Sequence, residues 1–555
     1  MVAIAKTFCY RSAKSDPSMM ILKCISSTCQ WRVYATKLKD SEVFEVRKLV
    51  SVHTCSIAER GGYQGQATSA VIGELMKSKF AGNGIGPRPR EIKMMMRGDH
   101  DVSISYWKAW KSRELAVDNG HGTCNASYIK LSVYLNNLVL ENPGSLANLH
   151  TEQTEAGGHR FKYMFLALGA SVEGYKAMRK VVVVDGTHLK GRYAGCLLTA
   201  SAQDGNYQIF SLAFAIVDSE NDMLWEWFFE NQSAFVPNEP RLVVVSDRHP
   251  SIYKRISKVY PSAGHCVCVL HLKRNIRSNF RERHLEYLVA KAARAYKLND
   301  FYVTFNEIKA MDPKCAAYLI EIGFQHWARS HFPGNHYNVL TSNFTESWNS
   351  VLSKAREFPI FQLIDFIREK LMTWFAKRRD SASKSGGPIT PRIEGILTNN
   401  FEMTGGYEVV DIAEKEYEVR NKTGGSFHVN LTARTCSCFE FQMLAIPCSD
   451  VIAAALKAKM NVEELVIDEY KPDSLKRAYE GIILPESAAP VEVGMPSIVT
   501  DLQLGPPAIR RPPGRPKKQR YFSRGEKRVK CVRRRIKCGR CKGIGHNKAT
   551  CKNPI

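Results

Sequence analysis

Four β-branched residues in a row, Val181 to Val184, run straight into Asp185, Gly186 and Thr187 in the stretch VVVVDGTHLK. An unbroken apolar run of that length predicts a strand buried on both faces, and its end delivers a carboxylate to a site. RLVVVSDRHP at 241–250 repeats the design with Asp247. In TSNFTESWNS the pattern turns amphipathic and helical, which places Glu346 on a helix. Between these stretches, CLLTASAQD and YQIFSLAFAIVDS predict two further strands of an antiparallel meander, starting near Phe161. MLWEWFFENQSAF and SIYKRISKVY predict helices, and HCVCVLH a strand. Alternation of this kind predicts a mixed α/β sheet over 161–385. A basic helical stretch at about 272–342 interrupts it before the Glu346 helix, and its charge is either a nucleic-acid track or a solvated face.

The flanks read differently. Residues 67–150 carry short helical patterns (VIGELMKSKF, PREIKMMMRGDH, SYWKAWKSRELAV) punctuated by Gly and Pro. With Arg88, Arg90, Lys93, Lys108 and Lys111 on them, they fit a helix-turn-helix or an ordinary helical linker domain. From 407 to 470 a compact module combines strand-like YEVVDIAEKEYEVRN and SFHVNLTARTCSC, a turn at Gly424 and Gly425, and an apolar helix. At Pro485 the periodicity ends, and the sequence to 537 predicts a flexible basic linker.

Composition narrows the class. At 555 residues the chain is too long for one core. A net charge of +25 favours a polyanionic partner, because Lys and Arg that neutralise phosphates release condensed counterions. The charge is also clustered: 510–540 alone holds fifteen Lys or Arg against Glu526. No apolar run approaches the ~20 residues that span a bilayer, so the expectation is a soluble, intracellular protein. Sixteen cysteines in such a chain are read first as metal ligands. Cys9, Cys124, Cys196, Cys266, Cys315 and Cys531 fall outside any ligand pattern and read as incidental thiols.

Three kinds of candidate chemistry follow. Asp185, Asp247 and Glu346 are oxygen donors suited to Mg²⁺ or Mn²⁺, and two such ions about 3.5 to 4 Å apart drive in-line attack on a phosphodiester. Cys24, Cys29, His53 and Cys55 pair two short-spaced ligand sets across strand-like sequence at 1–60, the pattern of a structural Zn²⁺ site. At 538–551 Cys538, Cys541, His546 and Cys551 do the same at spacings of two, four and four. Cys436, Cys438 and Cys448 form a third set whose fourth position is Asp450, an unusual partner for three thiolates.

The words around the acids, DGTHLKG, SDRHPSI, CVLHLKRN and TSNFTESWN, occur in this order and together closely resemble the transposase domain of plant Mutator-like elements. The resemblance implies a multidomain α/β protein with a ribonuclease-H-like DDE core, a helical insertion and small flanking zinc modules. It implies that Asp185, Asp247 and Glu346 are the catalytic acids, and that Cys268 and His271 are the family's Cys-x2-His element, either zinc ligands or a buried pair. Residues 1–60 resemble the family's DNA-binding domain and the WRKY zinc fold, in a family where that domain begins further upstream. The Cys436 set resembles a SWIM finger, bound by zinc or held by packing, and the Cys538 set a CCHC zinc knuckle. Arg511, Gly514, Arg515, Pro516, Lys517 and Lys518 resemble an AT-hook for the minor groove within a run that fits a nuclear localisation signal; a solvated tail is the alternative. The expected function is a nuclear, homo-oligomeric transposase acting on double-stranded DNA at terminal inverted repeats and target sites. A descendant that binds DNA as a chromatin or transcription regulator, without catalysis, is the alternative.

Overall fold

The computed structural model describes residues 1–486, apart from 40, 42, 81–85, 123, 156, 281, 283 and 342, together with 504–508. The AT-hook-like segment and the Cys538, Cys541, His546, Cys551 set therefore lie outside the described residues.

The N-terminal unit is an antiparallel sheet in the order β1 (Tyr10–Ser15), β2 (Met19–Cys24), β3 (Arg32–Lys37), β4 (Phe44–Val50). Among the described residues its buried cluster is small, formed by Ala3, Phe8, Cys24 and Trp31, with Ala35 on β3 buried as well. So few apolar side chains cannot offset the entropy of ordering some fifty residues, which is the situation a bound metal relieves.

Three helices follow, Ser69–Met76, Pro89–His100 and Tyr106–His121. They begin where the pattern predicts: Thr68 and Ser105 accept hydrogen bonds from Val71 and Lys108 as N-caps. The first and third cross closely because position 73 is glycine; a Cβ there would sit 2.9 Å from Leu115 Cβ. Ile72, Met76, Ile92, Met96, Ala109 and Ala116 form their shared core.

The central sheet has eight strands. It adds β5 (Leu146–Gln153) and β6 (His159–Ala167) to β7 (Val181–His188), β8 (Cys196–Gln203), β9 (Ile209–Val217), β10 (Val243–Ser246) and β11 (Gly264–Val267). The order is β11-β10-β7-β8-β9-β6, with β5 on β6 and the eighth strand, Leu504–Gly505, also on β6. β7, β8 and β9 run antiparallel, whereas β7, β10 and β11 run parallel. The sheet thus begins at Leu146, ahead of Phe161. On one face Val182, Val184 and Val244 pack into the large core with Trp225 and Phe228 of helix Asp222–Ser233 and Ile252 and Ile256 of helix Pro250–Val259. On the other, Val181, Val183, Val243 and Val245 pack with Cys266, Cys268, Phe332 and Val339.

Three expectations are corrected. HCVCVLH is not one strand: β11 stops at Val267 and a helix, Val269–Asn279, starts with Cys268 as its N-cap. The short apolar run carries no periodicity that separates strand from helix, and burial against the insertion core decides it. YEVVDIAEKEYEVRN is a hairpin, β12 (Glu408–Ala413) and β13 (Glu416–Arg420), turned at Lys415 with φ of 57°. The tail is not structureless from 485, since Leu504 and Gly505 add a short parallel strand to β6 and Leu504 is fully buried.

The insertion packs helices Leu285–Arg294, Leu298–Met311 and Pro313–Ile322 on Val269–Asn279 around its own core. The C-terminal module continues with β14 (Ser426–Asn430), β15 (Thr435–Cys436) and helix Ser449–Lys457, also around its own core. Arg179, just before β7, ties these parts together. Its buried guanidinium donates to Asn338 Oδ1 (2.6 Å), Gln203 Oε1 (3.0 Å) and Tyr470 Oη (3.1 Å) and packs on the rings of Tyr207, Tyr337 and Tyr470. Arg179→Ala leaves those acceptors buried and unmatched, and chemical denaturation should show a loss of roughly 3 kcal/mol.

Candidate active site

The ladder between β7 and β10 pairs Val181 with Val243, Val182 with Val244 and Val183 with Val245. Carried two residues further, the register sets Asp185 level with Asp247, on the face shared by Val183 and Val245. The ladder itself ends at Val183 and Val245, and Asp185 lies within β7 while Asp247 lies just past the end of β10. Asp185 is held from two sides. Thr199 of β8 donates its hydroxyl to the Asp185 carbonyl (3.2 Å), and Asn349 Nδ2 donates to Asp185 Oδ2 (2.6 Å). Asp247 closes an Asx turn, accepting the His249 N–H on Oδ1 at 3.0 Å, and this turn starts helix Pro250–Val259.

Glu346 projects from helix Asn343–Val351, as expected. The helix is anchored by Trp348, which is buried against Trp374 at 4.9 Å between ring centroids, and by the following buried Leu352. Glu346 accepts two hydrogen bonds from Arg274, at 2.6 and 3.0 Å, and lies 3.8 Å from His271 Nε2. The Cys268–His271 element therefore points its imidazole at the third acid. Neither residue belongs to a cluster of metal-ligand atoms among the described residues, while Cys268 packs in the apolar core under the sheet. The Glu346 helix reaches Asp185 through Asn349, but the three acids do not form a cluster with ligand atoms all within 4.8 Å of one another, the span that the two cysteine clusters below do meet among the described residues. As an all-carboxylate set they match hard divalent cations such as Mg²⁺.

Arg356 completes the surroundings. It hydrogen-bonds Thr187 Oγ1 and the His188 carbonyl, two and three residues past Asp185. Burial lowers its pKa, and the Asp185 and Glu357 charges raise it in part. Asn349, Arg274 and Arg356 were missed in the sequence. Asn349 follows Glu346 by three positions and Arg274 follows His271 by three, so helical spacing was the available signal.

Two cysteine-rich clusters are assembled as their spacing predicts. Cys24, Cys29, His53 and Cys55 bring their ligand atoms within 4.8 Å of one another, with Cys29 Sγ 3.3 Å from His53 Nδ1. Burial pushes the Cys29 thiol up, but the Trp31, Thr54 and Cys55 backbone N–H groups together bring it down to about 5, the range of a ready thiolate ligand. Cys436, Cys438, Cys448 and Asp450 also converge, Asp450 Oδ2 lying 3.6 Å from Cys436 Sγ and 3.8 Å from Cys448 Sγ. Burial, then the Cys438 charge, raises the Asp450 carboxyl to about 6. The three-thiolate, one-carboxylate set is thus formed in the fold. Of the incidental thiols, Cys196, Cys266 and Cys315 are buried and pushed up to about 12, which leaves them unreactive.

Three family models match the chain: the MULE transposase domain over residues 181–275, the MuDR family transposase over 1–46, and the SWIM zinc finger over 427–459. Together the three matches support a Mutator-like transposase. The MULE match takes in Asp185, Asp247, Cys268 and His271 and ends before Glu346. The MuDR match contains Cys24 and Cys29 but ends before His53 and Cys55, while the SWIM match contains all four residues of the second cluster. No curated protein matches the chain. The SWIM match and the two assembled clusters point to zinc.

Elemental analysis of the purified full-length chain should show Cys29→Ser and Cys448→Ser each losing about one zinc per chain, and Asp450→His losing none. Zinc content unchanged by Cys448→Ser would mean that packing alone holds the second cluster.

Proposed function

We propose that this Mutator-like chain is a DNA transposase that binds the terminal inverted repeats of its element and catalyses metal-dependent cleavage and strand transfer. The observation that carries the reading is the β7–β10 register, which sets Asp185 of β7 level with Asp247 just past β10, with the Glu346 helix docked on Asp185 through Asn349. The strand order β9-β8-β7-β10-β11, antiparallel on one side of β7 and parallel on the other, supports a ribonuclease-H-like core.

In this reading Asp185, Asp247 and Glu346 hold Mg²⁺ or Mn²⁺. A bound pair of such ions supplies a nucleophile at neutral pH and offsets the charge on the leaving oxygen. The chain's own residues supply position. Two acids are fixed by the sheet, so their spacing does not depend on side-chain choice, whereas the third comes from a helix. Arg274 and Arg356 flank the acids and present cations to a phosphate backbone. The +25 net charge draws in the DNA. The N-terminal sheet, the AT-hook-like arm and the CCHC set provide further grips, and the basic tail sends the protein to the nucleus, where it works as a homo-oligomer on paired element ends.

One observation favours a second reading. Glu346 is already neutralised by a two-point pair with Arg274, which suits a DNA-binding descendant that no longer cuts. A nicking assay on a terminal-repeat duplex separates the two. The transposase reading expects Mg²⁺- or Mn²⁺-dependent nicking that drops more than about 100-fold in Asp185→Asn, with DNA binding retained. DNA binding by the wild type with no cleavage in either metal favours the descendant, and full cleavage by Asp185→Asn removes these acids from the chemistry.

A further inference from the structure

We propose that Asn349 is a positioning residue of this centre, holding the Asp185 carboxylate in the orientation that metal binding requires. The inference rests on the metal-dependent reading above and deepens it.

Glu346 and Asn349 are three apart on one helix and so share a face. Trp348 on that helix, packed on Trp374, and Leu352 just after it are buried and anchor the helix. Asn349 Nδ2 then donates to Asp185 Oδ2 at 2.6 Å. The reverse amide orientation would set an oxygen against a carboxylate, so charge decides which way the side chain faces. Its other end has a different fate: Asn349 Oδ1 is buried and accepts no hydrogen bond among the described residues. A residue kept only for packing would not carry that unmatched acceptor, since leucine has similar volume and no polar atom to leave unsatisfied. The amide is retained for its hydrogen bond to Asp185. Thr199 fixes the backbone of the same residue from the neighbouring strand, and Asn349 fixes its carboxylate plane. Groups that orient a ligating carboxylate typically change metal affinity by 10–100-fold when removed.

The test uses the zinc-loaded, full-length chain and Mn²⁺, with free Mn²⁺ followed by electron paramagnetic resonance and folding by thermal melting without Mn²⁺. Asp185→Asn identifies the site as the Mn²⁺ binding it abolishes. Asn349→Ala and Asn349→Leu are expected to weaken that binding by roughly 10–100-fold. Asn349→Leu, which keeps the packing, should melt at or above the wild-type temperature, so that its loss of affinity is not a loss of fold. Unchanged Mn²⁺ affinity in both Asn349 variants, against a wild type whose site needs Asp185, overturns this inference alone. A wild type with no Asp185-dependent Mn²⁺ site overturns the metal-dependent reading and this inference with it.

Discussion

The parallel pairing of β7 with β10 is the constraint on which the rest of the centre depends. Side chains alternate along a strand, so a slip of one residue would turn Asp185 into the core and bring Val184 out to the site. The valines prevent the slip. Val182, Val184 and Val244 fill the core under one face and Val181, Val183, Val243 and Val245 that under the other, so both faces resist displacement. Hydrophobic burial, which has no direction of its own, here fixes the register of β7 against β10, the strands that lead to Asp185 and Asp247. The helix bearing Glu346 is attached to Asp185 by the Asn349 amide and held by the Trp348 anchor.

Outside the central sheet, stability is organised module by module. The N-terminal sheet has too small a core to stand alone and gathers three cysteines and a histidine instead. The C-terminal module has a better core and a cluster of its own, then returns the chain to the sheet, where Tyr479 donates to the buried Asp204 at 2.8 Å. Tyr470 lies on the same return path, so Arg179 connects the sheet, the insertion and the module after it. Movement of one is therefore felt by the others. Among the described residues no helix is long and apolar enough to cross a membrane.

Much of this was legible in residues whose physics is local. The run of four valines before Asp185 reads as a buried strand and is one, and the helical patterns at VIGELMKSKF, PREIKMMMRGDH and SYWKAWKSRELAV fall in helices. Cysteine pairs at short spacing declared both clusters, including the one ending in Asp450. What escaped is what tertiary contact decides. HCVCVLH splits into strand and helix because the insertion core claims Val269 and Leu272, a partner no short window contains. The turn at Lys415 lacks the glycine or asparagine that usually marks left-handed backbone. Arg274 and Asn349 became visible only once the acids they serve were placed in space, more than 70 and 160 positions away along the chain.

The central claim is that Asp185, Asp247 and Glu346 form one metal-binding centre. Crystals of the full-length protein grown with Mn²⁺ and measured at the manganese absorption edge test it most directly. The account predicts anomalous density between the Asp185 and Asp247 carboxylates, with Glu346 turned from Arg274 to meet it. Manganese found elsewhere, with Glu346 still paired to Arg274 and no density at the ends of β7 and β10, would contradict it.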